Sequence, residues 1–230
     1  MSTSWLNTLT GTVPVVRTAL LIDYFGVLTT SLDHTVRAWI EADNLDPAAC
    51  AAYFGRLAHR SAHEIDGPIH GLEIGTWTPS DFEVAVAAEM AAEGLVVEPA
   101  GLLNRMFGGF QIVPEMAELV ARVRAAGVRT ALVTNSFGVD YPREDWPRLF
   151  DATVISHEVG LRKPDPAIYR MALDLIGATA ADTVFVDDMQ PNIDAAAEMG
   201  MATVLHVDHA STATALAELL GPRTVVGAPG

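Results

Sequence analysis

Two apolar runs in this chain each end in acid. Ala19-Leu20-Leu21-Ile22 leads into Asp23, and Thr183-Val184-Phe185-Val186 leads into Asp187-Asp188. Short continuous apolar runs of this kind read as parallel strands covered on both faces. In an open α/β sheet, ligands bind outside the carboxyl ends of the strands. Both runs therefore deliver carboxylates to the same edge. Three carboxylates in one small volume repel one another unless a cation neutralises them, and an all-oxygen donor set suits Mg²⁺. The pattern predicts a Mg²⁺ enzyme acting on an anionic, phosphorylated substrate.

The rest of the chain supports an α/β fold with a Rossmann-like parallel sheet. Strands are predicted at Val128–Thr134, Thr153–Ser156, Thr183–Asp187 and Thr203–Val207, with helices at Pro114–Ala126, Pro166–Ile176 and Ile193–Met199 between them. Proline opens the first two helices, and Gly127, Gly177 and Gly200 close the three. Strands alternating with helices imply βαβ units and right-handed crossovers. Residues 32–108 differ. They are Ala-rich with helical spacing (Val36 and Ile40; Phe82, Val86 and Met90), broken by Gly67-Pro68, Gly71, Gly75 and Pro79. The expected division is a lead-in at 1–17, a core at 18–31 and 109–230, and an inserted helical cap of four or so helices at 32–108. Phe107-Gly108-Gly109-Phe110 reads as a hinge between them. The tail after Leu220 is expected to fray.

Composition narrows the partners. Of 230 residues, 29 are Asp or Glu against 14 Lys or Arg, a net charge of −15. That argues against nucleic acid or an anionic membrane as partner, and requires local positive charge to hold an anionic substrate. The single cysteine, Cys50, excludes an internal disulfide and suits a reducing compartment. It reads as a packed small residue. No apolar run is long enough for a membrane span and no signal segment is visible, so the expected location is cytoplasmic. The expected assembly is a monomer or a homodimer.

Further groups fall at strand ends and adjacent loops: Thr134-Asn135-Ser136 after the second core strand, Lys163 within Gly160-Leu161-Arg162-Lys163-Pro164-Asp165-Pro166, and Asn192 just after Asp187-Asp188. Each alone has a bland reading as a turn former, a cap or a solvated lysine. In this order they resemble the haloacid dehalogenase-like hydrolase superfamily. The matching segments are Asp23-Tyr24-Phe25-Gly26-Val27-Leu28, Leu132-Val133-Thr134-Asn135-Ser136, Arg162-Lys163-Pro164-Asp165, and Val186-Asp187-Asp188 through Asn192. The resemblance is to the helical-cap branch, which includes the N-terminal phosphatase domain of soluble epoxide hydrolase and bacterial sugar-1-phosphate phosphatases. It implies hydrolysis of a small phosphorylated metabolite through an aspartyl-phosphate on Asp23. It further implies Mg²⁺ held by Asp23, Asp188 and the backbone carbonyl of Phe25, with Asn192 supporting. Thr134 and the Asn135 N–H are implied to hold phosphoryl oxygens, Lys163 to neutralise charge, and Asp187 to orient Lys163 or a metal-bound water.

One position departs from the family pattern. Most of its phosphatases carry a second Asp two residues after the nucleophile as general acid/base, and here that residue is Phe25. Three readings stay open: a phosphatase that is slow or uses good leaving groups, a metal-independent 2-haloacid dehalogenase, and a non-catalytic binding protein. The Lys-Asp-Asp-Asn set favours the first. In the cap, His70, Glu73 and Trp77 resemble the segment lying over the active site, Trp77 as a platform for a sugar ring or simply as packing. His59 and His63 have metal-binding spacing on a helix but lack a third ligand, and Arg37 reads as solvated.

Overall fold

A computed structural model describes residues 16–63, 67–138 and 140–226. Five strands, β1 (Ala19–Ile22), β2 (Arg129–Thr134), β3 (Ala152–Ile155), β4 (Thr183–Asp187) and β5 (Ala202–Leu205), form one parallel sheet in the order β3-β2-β1-β4-β5. β1 lies at the centre, with Ile22 level with Leu132 on one side and Val186 on the other. This register sets Asp23 beside Asp187, and the Asp23 N–H donates to the Val186 carbonyl at 3.0 Å.

The predicted Rossmann-like α/β architecture is present. Alternate strand side chains enter two separate cores. Leu20, Ile22, Leu132, Val184 and Val186 pack with α6 (Pro114–Ala125), α11 (His209–Leu220) and α12 (Pro222–Val226). Leu21, Val133 and Phe185 pack on the other face with α9 (Pro166–Ile176) and α10 (Gln190–Glu198). Each fully buried Leu, Ile or Phe contributes about 1.5–3 kcal/mol, so the sheet centre is the most strongly held part of the fold.

Between β1 and α6 come five helices: α1 (Leu32–Ala42), α2 (Pro47–His63), α3 (Pro68–Glu73), α4 (Pro79–Ala92) and α5 (Leu102–Phe107). They enclose a third apolar cluster built on Trp39, Tyr53, Phe82, Val86, Met90 and Met106. Caps fix their starts. Ser31 accepts from the His34 N–H, and Thr78 and Asp81 form a reciprocal capping box. Cys50 is buried in this cluster, and exposed Arg37 pairs with Asp33 at 2.7 Å. His59 and His63 lie on α2, with side chains outside what the structure describes. The two connections to the sheet run side by side: Thr30 N–H donates to Gln111 O at 2.8 Å and Val113 N–H to Leu28 O at 2.9 Å.

Several sequence expectations are corrected. Ser156 opens a short helix, α8 (Ser156–Val159), instead of closing β3. Helix α10 starts three residues earlier than read, at Gln190. Helices α7 (Trp146–Leu149) and α11 are additional to those expected from the sequence, the latter because its Ala- and Thr-rich run has little apolar periodicity. The segment after Leu220 is helical through Val226 rather than frayed. Val225 is buried, and its carbonyl accepts from Arg122 Nε at 3.0 Å. Of the lead-in, residues 1–15 lie outside the described residues. Among the described residues no helix is long and apolar enough to cross a membrane.

Candidate active site

Three strand ends meet at the carboxyl edge. β1 presents Asp23, β2 presents Thr134, and β4 presents Asp187 followed by Asp188. One oxygen from each of Asp23, Asp187 and Asp188 lies within 4.8 Å of the others. Lys163 enters from the loop before α9 and is 1% exposed. Its Nζ lies 2.7 Å from Asp23 Oδ1 and 2.7 Å from Asp187 Oδ2.

The two adjacent aspartates differ in their surroundings. Asp187 is completely buried. Its Oδ2 accepts from Lys163, and its Oδ1 accepts from the Met189 N–H at 2.8 Å and from Asn192 Nδ2 at 3.0 Å. Both oxygens are thus committed within the protein. Asp188 opens to solvent and lies against Gly26, which has φ +77°. A Cβ at Gly26 would sit 2.2 Å from Asp188 Oδ2. Glycine is required here both for the left-handed backbone and for the close approach. The first loop also leaves the Phe25 carbonyl free of hydrogen bonds among the described residues, whereas the Tyr24 carbonyl accepts from Val27, Leu28 and Thr29.

Electrostatics follow from this crowding. Desolvation raises Asp23 to about 7 against the pull of Lys163, with Asp187 adding to the rise. Desolvation, then the Asp187 charge, raises Asp188 to about 6. Burial alone would lower Lys163, but Asp187 and Asp23 outweigh it and hold the ammonium above its ordinary range.

Asn135 shapes the loop that carries the lysine. Its Oδ1 accepts from the Lys163 N–H at 2.8 Å and its Nδ2 donates to the Lys163 carbonyl at 3.0 Å. Thr134 is buried, and its hydroxyl donates to the Asn135 carbonyl at 3.2 Å. Glu73, at the end of α3, reaches this loop and meets Arg162 Nε at 2.9 Å, while Arg162 Nη1 lies 2.9 Å from His70 Nδ1. Burial raises Glu73 to about 7 despite Arg162, Lys163 and Asn135 nearby.

A model of the haloacid dehalogenase-like hydrolases matches residues 18–200. The chain belongs to this family. The match bears out the family resemblance read from the four sequence segments. Among curated relatives, the sesquiterpene phosphatase of Aspergillus oryzae is 30% identical over 154 residues, covering 65% of this chain and 77% of that protein. Bifunctional epoxide hydrolase 2 of Rattus norvegicus is 36% identical over 112 residues, 45% of this chain. The matched part is only 20% of that protein, and a match to acyl-CoA dehydrogenase family member 10 of Mus musculus spans 11% of its length. A haloacid dehalogenase-family enzyme from Bacteroides thetaiotaomicron, solved with magnesium and inorganic phosphate, shares the fold at a TM-score of 0.56. It is 22% identical, over 82% of this chain and 93% of its own. A dehalogenase structure aligns at 0.60, with 20% identity over 82% of this chain and 83% of its own.

In the structure, Asp23, Thr134, Asn135, Lys163, Asp187, Asp188 and Asn192 all lie at the carboxyl edge or in the loops joined to it. Glu73 joins them from the helical layer, and His70 touches the group through Arg162. Trp77 does not reach this group. Its ring packs over Gly71, where a Cβ would meet it at 2.2 Å, and it lies half-buried against the apolar cluster of the helices. Gly26, Arg162 and Tyr141 were not singled out from sequence. Gly26 lies inside the first matching segment and Arg162 next to Lys163. Tyr141 sits in an irregular loop without any periodic signal.

Proposed function

We propose that the protein is a Mg²⁺-dependent phosphatase that hydrolyses a small phosphate monoester through an aspartyl-phosphate on Asp23. The observation that carries this reading is Lys163, buried and shared between Asp23 and Asp187 beside an open Asp188. The names of the sesquiterpene phosphatase relative and of the magnesium- and phosphate-bound structure are in accord with it.

The residues fit a small hard cation. Three carboxylate oxygens converge, two of the three groups are held well above the ordinary carboxylate range by burial with the neighbouring carboxylates adding to it, and Gly26 gives Asp188 room to approach the first loop. Asp23, Asp188 and the Phe25 carbonyl would hold Mg²⁺, while Asp187 is saturated by Lys163, Met189 and Asn192 and serves to fix Lys163. When bound, Mg²⁺ supplies positive charge to the phosphoryl group and its surrounding carboxylates.

The chain's own groups then have these roles. Asp23 Oδ attacks phosphorus and the bond to the leaving oxygen breaks, which splits one hard displacement into two easier ones. Lys163 and the Thr134 hydroxyl stabilise the phosphoryl oxygens, and Asn135 holds the lysine loop by its two hydrogen bonds. Water then attacks the aspartyl-phosphate and frees Asp23. The five helices act as a cap over this edge, with the Glu73–Arg162–His70 contacts holding it closed and residues 107–110 as its hinge.

Turnover of para-nitrophenyl phosphate with Mg²⁺ or chelator, for wild type and Asp23→Asn, tests the proposal. Phosphate release that needs Mg²⁺ and disappears in Asp23→Asn is expected. Phe25 favours one rival, a non-catalytic binding protein. In that case Mg²⁺ with beryllofluoride raises the unfolding midpoint little, although a catalytic site that accepts this phosphoryl mimic gains stability from it.

A further inference from the structure

A cavity of about 450 Å³ opens beside the first loop, between the sheet edge and α4–α5. Ligand pockets commonly occupy about 300–1,000 Å³. Tyr24 and Phe25, the residues following Asp23, form one wall, and Tyr141, which lies beside Thr134 and Asp23, forms another, so the cavity adjoins the candidate site. Phe107, Phe110, Leu103 and Ile112 form much of the remainder. The rings support one another: Phe25 lies 4.5 Å from Phe110 and 5.7 Å from Tyr141 between centroids, and Phe107 stacks on Phe137 at 4.4 Å.

Charge at the cavity is one-sided. Among the described residues no Lys or Arg lines it. Its acidic members are Glu83 and Asp140. Glu83 is engaged already, accepting from the Gly101 and Leu103 N–H groups at 3.2 and 3.0 Å. A second anionic group on the ligand, such as a carboxylate or another phosphate, finds no partner there. An uncharged ring finds aromatic faces.

Phe25 adds a chemical constraint. It cannot give a proton to the departing oxygen, an aid that contributes about 10²–10⁴-fold where it exists. The Tyr141 hydroxyl is enclosed beside the Thr134 and Ser136 side chains without a completed hydrogen bond. Burial raises it above the ordinary tyrosine range, so it stays a neutral donor. A leaving oxygen that bears negative charge well relaxes the need for an acid, as a phenol's does.

Resting on the phosphatase reading, we propose that this cavity receives the alcohol portion of the substrate and selects an uncharged aromatic alcohol, so that the substrate is an aryl phosphate monoester. In the first step the Asp23–phosphorus bond forms, the phosphorus–oxygen bond breaks, and its electron pair leaves on the aryl oxygen. Water then hydrolyses the aspartyl-phosphate, and its proton balances the phenoxide to give phenol and phosphate.

The test uses the full chain with Mg²⁺ and a matched series: phenyl, 2-naphthyl and para-carboxyphenyl phosphates, with glucose 1-phosphate and glycerol phosphate. Calorimetric binding of 2-naphthol gives a readout independent of turnover. Expected are a kcat/KM for naphthyl phosphate about tenfold or more above phenyl, a value for the carboxylated ester below phenyl, and sugar and glycerol esters lowest. Phe110→Ala should raise KM for naphthyl phosphate and weaken naphthol binding about tenfold. Ile112→Asp, at a 42% exposed position tolerant of substitution, should do the same while keeping the unfolding midpoint. A flat series, a preference for the sugar ester, or equal handling of the carboxylated ester overturns the proposal while leaving an Asp23-dependent phosphatase standing. If no ester is turned over, the phosphatase reading fails. Naphthol that binds wild type and not the two variants then upholds the aromatic site, and naphthol that fails to bind removes it.

Discussion

Asp187 and Asp188 are neighbours in sequence but should respond oppositely to the same substitution. Asp187→Asn replaces an acceptor oxygen by an amide N–H₂. The group must then point a donor either at Lys163 Nζ, 2.7 Å away, or at the Met189 N–H and Asn192 Nδ2, 2.8 and 3.0 Å away. The site is fully buried, so no water relieves the clash. Breaking a buried ion pair by removing one partner costs about 3–5 kcal/mol, a large share of a domain's total stability. Asp188→Asn removes one of three mutually repelling carboxylates at a position open to solvent, where screening limits the change to about 0–1 kcal/mol, in the stabilising direction. Urea unfolding near neutral pH with chelator measures both. Asp187→Asn should lower the midpoint with an unchanged slope, and Asp188→Asn should leave it equal or higher. With Mg²⁺ at about 100 times its dissociation constant, wild type should gain about 2.7 kcal/mol and Asp188→Asn almost none. The reasoning fails if Asp188→Asn is strongly destabilised without metal, if it keeps the full Mg²⁺ gain, or if Asp187→Asn is neutral.

Other perturbations probe other parts of the site. Phe25→Asp restores a carboxyl at the position where most phosphatases of the family carry one. It should raise kcat on alkyl phosphates by about 10²-fold or more and on aryl phosphates less, at some cost in stability from the lost ring contacts with Phe110 and Tyr141. An equal gain on both classes, or none in folded protein, would show that protonation is not what Phe25 removes. Gly26→Ala should cost about 1–2 kcal/mol from the left-handed backbone alone and, by displacing Asp188, cut Mg²⁺ affinity measured by calorimetry. For Glu73→Gln the sign follows from burial. The folded carboxyl sits at about 7, above its ordinary value of 4.5, so its stabilising contribution is present at low pH and lost as pH rises through that window. Relative to the variant, wild type should lose about 3 kcal/mol between pH ~4.5 and well above pH ~7. A pH-independent difference in unfolding free energy would show that Arg162 neutralises Glu73 fully.

The sheet and its acidic edge were legible because their signals are local. β1 and β4 are uninterrupted apolar runs, and a strand buried on both faces has little choice of residue. Pro and Gly marked the ends of α9 to the residue. The site's strand-end members followed from topology, since any parallel sheet gathers such residues at one edge. What was hidden depends on contacts across the fold. Trp77 and Glu73 lie four residues apart in one segment, yet one fills the space over Gly71 while the other reaches the lysine loop, and only the pose of α3 decides between them. Tyr141 and the cavity walls come from a loop and two helices without shared periodicity. Helix α11 carries a clear cap, Asp208 accepting from Ser211 N–H at 2.8 Å. Its weak apolar pattern concealed it, because one buried stripe of Thr212, Leu216 and Leu220 is enough against a sheet already covered.

Charge ties the proposed metal to the proposed nucleophile. Asp23, Asp187 and Asp188 carry three negative charges when ionised, and Lys163 returns one, which leaves two to balance. Arg162, the next cation along the chain, is engaged by Glu73 and lies against His70. The chain as a whole, at −15, repels a phosphate dianion further. A divalent cation balances the two remaining charges. Without it Asp23, raised to about 7, is half protonated near neutrality and is a poor nucleophile for that fraction of the time. With it the carboxylate ionises, since an adjacent positive charge favours the charged form. On the proposed function, then, the cation both admits the substrate and frees the group that attacks it. Chelator should therefore lower kcat as well as raise KM, an effect that simple charge neutralisation of the substrate would confine to KM.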